Sequence, residues 1–208
     1  MVELAYSFHE RLPLPRKLQS IFLIAPAQVK EEITELLKIT GELRPRTLLE
    51  IGTARGGTLF LFAGVADPEA LIISIDLPEG LFGGGYPEWR IPLYKSFARG
   101  KQRIVLLRRD SHDPETLREV EGILAGRKLD FLFVDGDHSY EGVRRDFEMY
   151  SPLVRKGGII AFHDIVPGPP GNVGGVPRFW SEVKKDYKHL EIVKDWRQGG
   201  YGIGVLFV

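Results

Sequence analysis

Apolar positions along the chain follow two rhythms. In residues 28–42, Val29, Ile33, Leu36, Leu37 and Thr40 recur at helical spacing and mark one face of an amphipathic helix, which Pro45 stops. From residue 47 onward the pattern becomes short continuous apolar runs separated by helical stretches. The runs are Thr47–Ile51, Leu71–Ile75, Ile104–Leu107, Phe131–Val134 and Ile159–Phe162. Residues 57–66, 93–99, 114–124 and 140–153 read as the intervening helices. Asp113 and Pro114 cap and open the third, and Gly157-Gly158 is expected to end the fourth. A helix over 178–187 and strands at 190–193 and 202–207 complete the order. Strands that are apolar throughout are buried on both faces, so the pattern predicts an α/β fold: a doubly wound, mostly parallel sheet with a hairpin-like end. Residues 1–27 hold Pro13, Pro15 and Pro26, show no period, and read as an N-terminal arm. Residues 28–208 read as a single domain, because no composition break divides them.

Composition narrows the function. The chain of 208 residues carries 28 Lys+Arg against 28 Asp+Glu, so it lacks the positive field that draws proteins to nucleic acid or anionic membrane. It has no cysteine, which removes disulfides, thiol chemistry and cysteine-ligated metals. No targeting segment or bilayer-length apolar run is visible, and a cytoplasmic location is the expectation. The 24 glycines gather at 52–57, 80–85, 168–175 and 199–204. The last group borders the final strand and carries no functional reading.

Ligands of open α/β sheets bind beyond the carboxyl ends of the strands. Here those ends carry Glu50-Ile51-Gly52-Thr53-Ala54-Arg55-Gly56-Gly57-Thr58, then Asp76, Asp110-Ser111, Asp135-Gly136-Asp137-His138 and His163-Asp164. A glycine turn after the first strand and an acid at the tip of the second describe a nucleoside site, with Asp76 accepting from ribose hydroxyls. A dinucleotide turn would read G-x-G-x-x-G. Here Ala54 stands where the middle glycine belongs, and Glu50 suits a cofactor with a cationic amino-acid end and no pyrophosphate. An NAD-dependent oxidoreductase is the alternative on the same sheet.

The runs LLEIGTARGGT, SIDLP, LLRRDS, DFLFVDGDHSYEGVRRDF and GGIIAFHDI together resemble the class I S-adenosylmethionine-dependent methyltransferases over about residues 45–208. Within that class the VDGDHSYEGV…GGIIAFHD pair is similar to the cephalosporin-hydroxylase-like and macrocin O-methyltransferase groups. The resemblance implies a Rossmann-like seven-stranded sheet with an antiparallel last strand, and S-adenosyl-L-methionine as cofactor. It implies that Glu50, Gly52, Thr53 and Gly56 line the methionine part, Asp76 holds the ribose, Asp110 and Ser111 edge the adenine, and Asp135 lies under the sulfonium.

The acids and imidazoles after the fourth and fifth runs suggest chemistry. Neighbouring strands lie about 4.8 Å apart, so Asp135, His163 and Asp164 are within reach of one ion, and a hard ion such as Mg²⁺ or Mn²⁺ suits them. Metal-dependent catechol-type O-methyltransferases resemble this layout, with His163 in place of a hard oxygen ligand. A metal-free site with His163 and Asp164 as polar lining is the alternative. His138 is the first candidate for general base, since imidazole titrates near neutral pH, and His163 is the second. The expectation is methyl transfer to a hydroxyl of a small molecule, such as a glycosyl or other natural-product acceptor. A non-catalytic S-adenosylmethionine sensor is the other reading. The arm, the loop at 81–89 and the loop at 167–176 would cover the acceptor. The glycine run at 83–85 reads either as a flexible connection or as a lid or wall of the cofactor site, with Tyr86 and Trp89 as flat surfaces. The aromatic arm also offers a surface for a second copy in a homo-oligomer.

Overall fold

The apolar stripe near Val29 folds as helix α1 (Lys30–Leu43), and burial of Ile33, Leu36, Leu37 and Thr40 selects the face it packs. The computed structural model describes residues 2–3, 24, 26–80, 82 and 84–208. The N-terminal arm expected over 1–27 therefore lies almost wholly outside the described residues.

The order continues β1 (Thr47–Ile51), α2 (Gly57–Val65), β2 (Leu71–Ile75), α3 (Ile91–Lys95), β3 (Arg103–Leu107), α4 (Pro114–Leu124), β4 (Leu129–Val134) and α5 (Tyr140–Tyr150). It ends with β5 (Val154–His163), α6 (Pro170–Val173), α7 (Val176–Val183), β6 (Lys188–Ile192) and β7 (Ile203–Phe207). The seven strands form one sheet in the order β3-β2-β1-β4-β5-β7-β6. β3, β2, β1, β4 and β5 run parallel, while β7 runs against both β5 and β6. The sheet order reverses at β1, whose neighbours are β2 on one side and β4 on the other, and a cleft opens at such a point.

Side chains alternate between two buried layers. Leu48, Ile72, Phe131, Phe133 and Ala161 face α1 and α2. Leu49, Ile73, Leu132, Ile160 and Phe162 belong to the opposite cluster, with residues of α4, α5 and α7. In α2, Phe62 meets Phe131 and Phe133 edge-on, with centroids 5.1 and 5.2 Å apart. Each such ring contributes about 1.5–3 kcal/mol by burial.

Several boundaries differ from the sequence reading: the helix expected over 93–99 spans Ile91–Lys95, the one expected over 178–187 spans Val176–Val183, and Pro170–Val173 in the expected loop is helical. Gly157-Gly158 does not end the fourth helix. A 3-10 turn over Ser151–Leu153, containing Pro152, does so, and both glycines lie inside the ten-residue β5. There Gly157 donates to the Val208 carbonyl at 2.6 Å, and the register shifts against Leu129/Phe131. Ser139, whose hydroxyl accepts from the Gly142 amide, caps α5.

Candidate active site

The sheet ladder carries on past the strand tips. Gly52 N donates to the Ile75 carbonyl at 2.9 Å, Asp76 N to Leu107 at 2.9 Å and Asp135 N to Ile51 at 2.8 Å. These bonds set Gly52, Asp76 and Asp135 in one row along the edge. Because β7 is reversed, the loop entering it comes to the same edge: His163, the last residue of β5, pairs with Ile203, the first of β7.

The turn after β1 is tightly specified. Gly52 has φ 92°, and a Cβ there would stand 1.9 Å from the Asp135 carbonyl oxygen. Gly56 has φ 76°, and a Cβ there would meet the Tyr94 ring at 2.6 Å. Both glycines are thus demanded by close packing of the protein itself, beyond any approach of a ligand. Ala54 holds a left-handed φ of 43° where the dinucleotide pattern has glycine. Its amide donates to Asp76 Oδ2 at 2.7 Å and its carbonyl accepts from the Tyr94 hydroxyl at 2.9 Å. Asp76 also accepts from the Thr53 and Gly85 amides, which fixes its orientation.

Glu50 is fully buried below this turn. Its carboxyl bonds the Thr58 hydroxyl and, at 2.9 Å, the Ser74 hydroxyl, which in turn bonds Thr53 Oγ1. Burial pushes Glu50 up to about 8 despite those two donors. Glu50 supports the turn from beneath, whereas Thr53 and Thr58 line the cavity above.

Two cavities meet at this edge. The smaller, about 190 Å³, is lined by Asp76, Asp110, Ser111 and His112. The larger, about 740 Å³, is lined by Tyr86, Trp89, His138, His163, Asp164 and Tyr201, among others. Gly52, Ala54, Phe82 and Asp135 line both. Tyr86 and Trp89 thus stand on the wall. His112 sits at the floor of the smaller cavity, where its Nε2 lies 3.2 Å from Asp146 Oδ1 and 3.1 Å from the Gly142 carbonyl.

The charged cluster lies in the larger cavity. Asp135 Oδ1 is 3.1 Å from His163 Nδ1 and 3.3 Å from His138 Nε2, and Asp135 Oδ2 accepts from Gln28 at 2.7 Å. Asp164 Oδ2 is 3.3 Å from His138 Nδ1 and 3.5 Å from His163 Nδ1. Burial acts to raise Asp135, but His163 and His138 hold it below the ordinary carboxylate range. Burial also works against a charged His138. Asp135, the Asn172 carbonyl and Asp164 outweigh it and raise the imidazole to about 9. The two carboxylates thus favour the charged form of the imidazole. Asp135, His138 and Asp164 offer ligand atoms mutually within 4.8 Å, a set that could hold a cation. His163, expected above as a ligand, lines the same cavity and hydrogen-bonds Asp135 through Nδ1, outside that closely spaced set of three.

Two residues that line the larger cavity each keep a buried polar atom, the Tyr86 hydroxyl and His163 Nε2, with no hydrogen-bond partner among the described residues. Orphaned polar groups at a cavity wall fit a polar ligand. With a ribose-ready acid at one end and a carboxylate at the junction, the residues fit an adenosyl amino-acid cofactor.

The sheet order and its reversed last strands are those of the Rossmann-like class I methyltransferase fold. Residues 49–165 match a methyltransferase domain family, so the chain belongs to that family. This sets aside the dinucleotide alternative. The uncharacterized protein R132 of Acanthamoeba polyphaga mimivirus is 34% identical over 132 residues, covering 64% of this chain and 57% of that protein. The rhamnosyl O-methyltransferase of Mycobacterium bovis is 23% identical over 163 residues, covering 73% of this chain and 62% of that protein. The chain thus spans somewhat more than half the length of these curated relatives. The O-methyltransferase TomG of Streptomyces achromogenes, solved with S-adenosylmethionine, has a similar fold, with a TM-score of 0.63 at 17% identity over 100% of this chain and 88% of that one. No described helix is long and apolar enough to cross a membrane.

Several contributors were not singled out by sequence. Phe82 stacks on His138, Asn172 bonds it, and Tyr94 buttresses the Ala54 turn. Only the glycines around Tyr201 gave a visible signal for that loop.

Proposed function

We propose that this methyltransferase acts on oxygen, moving the methyl group of S-adenosylmethionine to a hydroxyl of a small molecule, and that a divalent cation, Mg²⁺ or Mn²⁺, assists. The observation that carries the reading is the meeting of the two cavities at Asp135, with His138 and Asp164 at hydrogen-bond range on the larger side. The rhamnosyl O-methyltransferase relative supports a glycosyl hydroxyl as the acceptor.

When bound, the cofactor supplies a methyl group on a positively charged sulfur, and the cation lowers the pKa of a hydroxyl beside it. Asp76 and the Asp110-Ser111 edge bind the nucleoside end in the smaller cavity. Thr53, Thr58 and the Gly52 turn border the amino-acid end. Asp135 and Asp164 supply the hard oxygens for the cation, and His163 orients Asp135 through the Nδ1 hydrogen bond. His138 accepts the hydroxyl proton as the oxygen–methyl bond forms and the methyl–sulfur bond breaks. The two carboxylates hold the extra proton on His138. Were a cation held by Asp135 and Asp164, their pull on this proton would weaken and the imidazole would be freer to act as the base. Holding oxygen and methyl in line supplies the rest.

Calorimetry with S-adenosylhomocysteine, followed by a turnover assay with and without EDTA, tests this. Tight binding of S-adenosylhomocysteine, with turnover abolished by EDTA and restored by Mg²⁺ or Mn²⁺, is the expected result. Failure to bind it would overturn methyl transfer. Full turnover in EDTA would overturn the cation.

A further inference from the structure

Four consecutive residues ahead of β7 have positive φ: Gly199 at 74°, Gly200 at 126°, Tyr201 at 61° and Gly202 at 79°. Glycine takes this region freely, whereas a residue with a Cβ is strained there. Tyr201 alone in the run carries a side chain. The surroundings enforce its conformation. Its amide donates to Asp164 Oδ1 at 2.9 Å, and its carbonyl accepts from the Val166 amide at 2.9 Å. The loop is tied to α1 through buried Glu32, which accepts from the Gly202 amide at 2.9 Å, Gln198 Nε2 at 2.8 Å and the Lys194 amide at 3.0 Å. Despite this anchoring the Tyr201 ring is not in the core. It is 43% exposed, lines the larger cavity, and lies 6.1 Å from the His163 ring. A strained conformation held by the fold, with its ring left on the wall of the larger cavity, makes Tyr201 a candidate functional position.

We infer that Tyr201 is an acceptor-binding and specificity residue, whose ring packs against the face of a pyranose. The inference rests on the methyltransferase reading above and names its acceptor class. A pyranose has C–H groups on its faces and hydroxyls around its edge. The larger cavity offers the complement: half-exposed rings at Tyr201 and Trp89, with Asn172, Arg55 and His138 as polar wall. A planar catechol would use the rings and leave those edge groups unmatched. Arg55 is exposed, in the turn after β1.

The test measures S-adenosylhomocysteine release with 4-nitrophenyl pyranosides of the gluco, manno and rhamno series, and with catechol. It uses the wild-type protein, Tyr201→Gly and Tyr201→Phe. Tyr201→Gly removes the ring at a backbone angle that glycine prefers, so folding is spared. The expected result has four parts. Wild type prefers a pyranoside to catechol. Tyr201→Gly raises the KM for that pyranoside at least about tenfold with kcat changed less than about threefold. S-adenosylhomocysteine affinity stays within about twofold, and Tm does not fall. Tyr201→Phe keeps KM within about threefold. An unchanged KM in Tyr201→Gly overturns the assignment of the residue, and a fall in its Tm assigns the ring to folding and overturns it equally. Preference for catechol, or no pyranoside turnover by wild type that binds S-adenosylhomocysteine, overturns the acceptor class. A wild type that binds no S-adenosylhomocysteine instead marks failure of the underlying reading.

Discussion

The ring of Phe82 lies over the imidazole of His138, with centroids 4.9 Å apart and planes 23° from parallel. A charged imidazole under an aromatic face is stabilised by about 0.5–1 kcal/mol at a partly open site. Phe82→Ala should therefore lower the His138 pKa by about half a unit from its raised value in ion-free protein. An NMR titration of the imidazole reads the change, and an unchanged midpoint would show that the stack is not electrostatic.

His138→Ala should reduce kcat at least about 100-fold, the usual loss for a proton-transfer group. S-adenosylhomocysteine affinity should stay within about threefold, because Asp76, whose carboxylate is held by the Thr53, Ala54 and Gly85 amides, is oriented without help from this imidazole. A matching loss of cofactor affinity would make His138 a structural post instead.

Glu50 gives a pH prediction with a definite sign. Its folded value, about 8, lies above the ordinary 4.5, so between these values the unfolded chain has released a proton that the folded protein keeps. Folding stability from this group is full below about pH 4.5 and is lost as pH rises toward 8. Glu50→Gln, which is neutral at every pH, should flatten that slope in urea titrations. An equal slope in the variant would show that Glu50 is already ionised.

Asp130 behaves oppositely. Burial acts to raise it, but Arg155 at 2.6 Å and the Thr47 and Arg46 amides hold it below its ordinary value of 3.8. Its contribution is present above pH 3.8 and is lost as pH falls through the lowered folded value. Asp130→Ala should cost about 2–3 kcal/mol at neutral pH, in the range of charged hydrogen bonds. Chemical denaturation at pH 7 and pH 3 measures the difference, which should shrink at the lower pH.

Gly52→Ala tests the turn itself. The added methyl would sit 1.9 Å from the Asp135 carbonyl oxygen at a φ of 92°. Strain of about 1–3 kcal/mol plus the displaced β4 tip should lower Tm by several degrees and weaken cofactor binding together. A stable, fully active variant would show that the strand tips part more easily than their hydrogen bonds imply.

Much of this was legible in the sequence, for physical reasons. Runs such as Leu71–Ile75 and Phe131–Val134 can be little else than strands covered on both faces, and an acid at each tip marks the ligand edge. Asp76, Asp110, Ser111, Asp135, His138, His163 and Asp164 are all found there. The burial of Glu50 beneath the turn was less legible, because strand alternation does not say whether an inward carboxyl reaches the cleft or α2. The arrangement of His163 and Asp164 was hidden because Asp164 lies just past the end of β5 with a positive φ of 62°, which turns it into the same cavity as His163 instead of to the opposite face. The charged state of His138 depends on two carboxylates from different strands, a property no local motif contains. Gly157-Gly158 misled because a glycine pair after a helix looks like a stop, whereas here it accommodates an irregularity in β5.

The reversed direction of β7 has an architectural consequence. The segments leaving β1, β2 and β4 border both cavities, whereas the segment entering β7 borders only the larger one. The Tyr201 side of the larger cavity is thus a separate stretch of chain from the residues that border the smaller one. Residues 194–202 form a cassette, with Glu32 as its mounting point. Such an arrangement lets acceptor preference diverge by exchange of one short stretch while methyl-donor recognition is inherited unchanged.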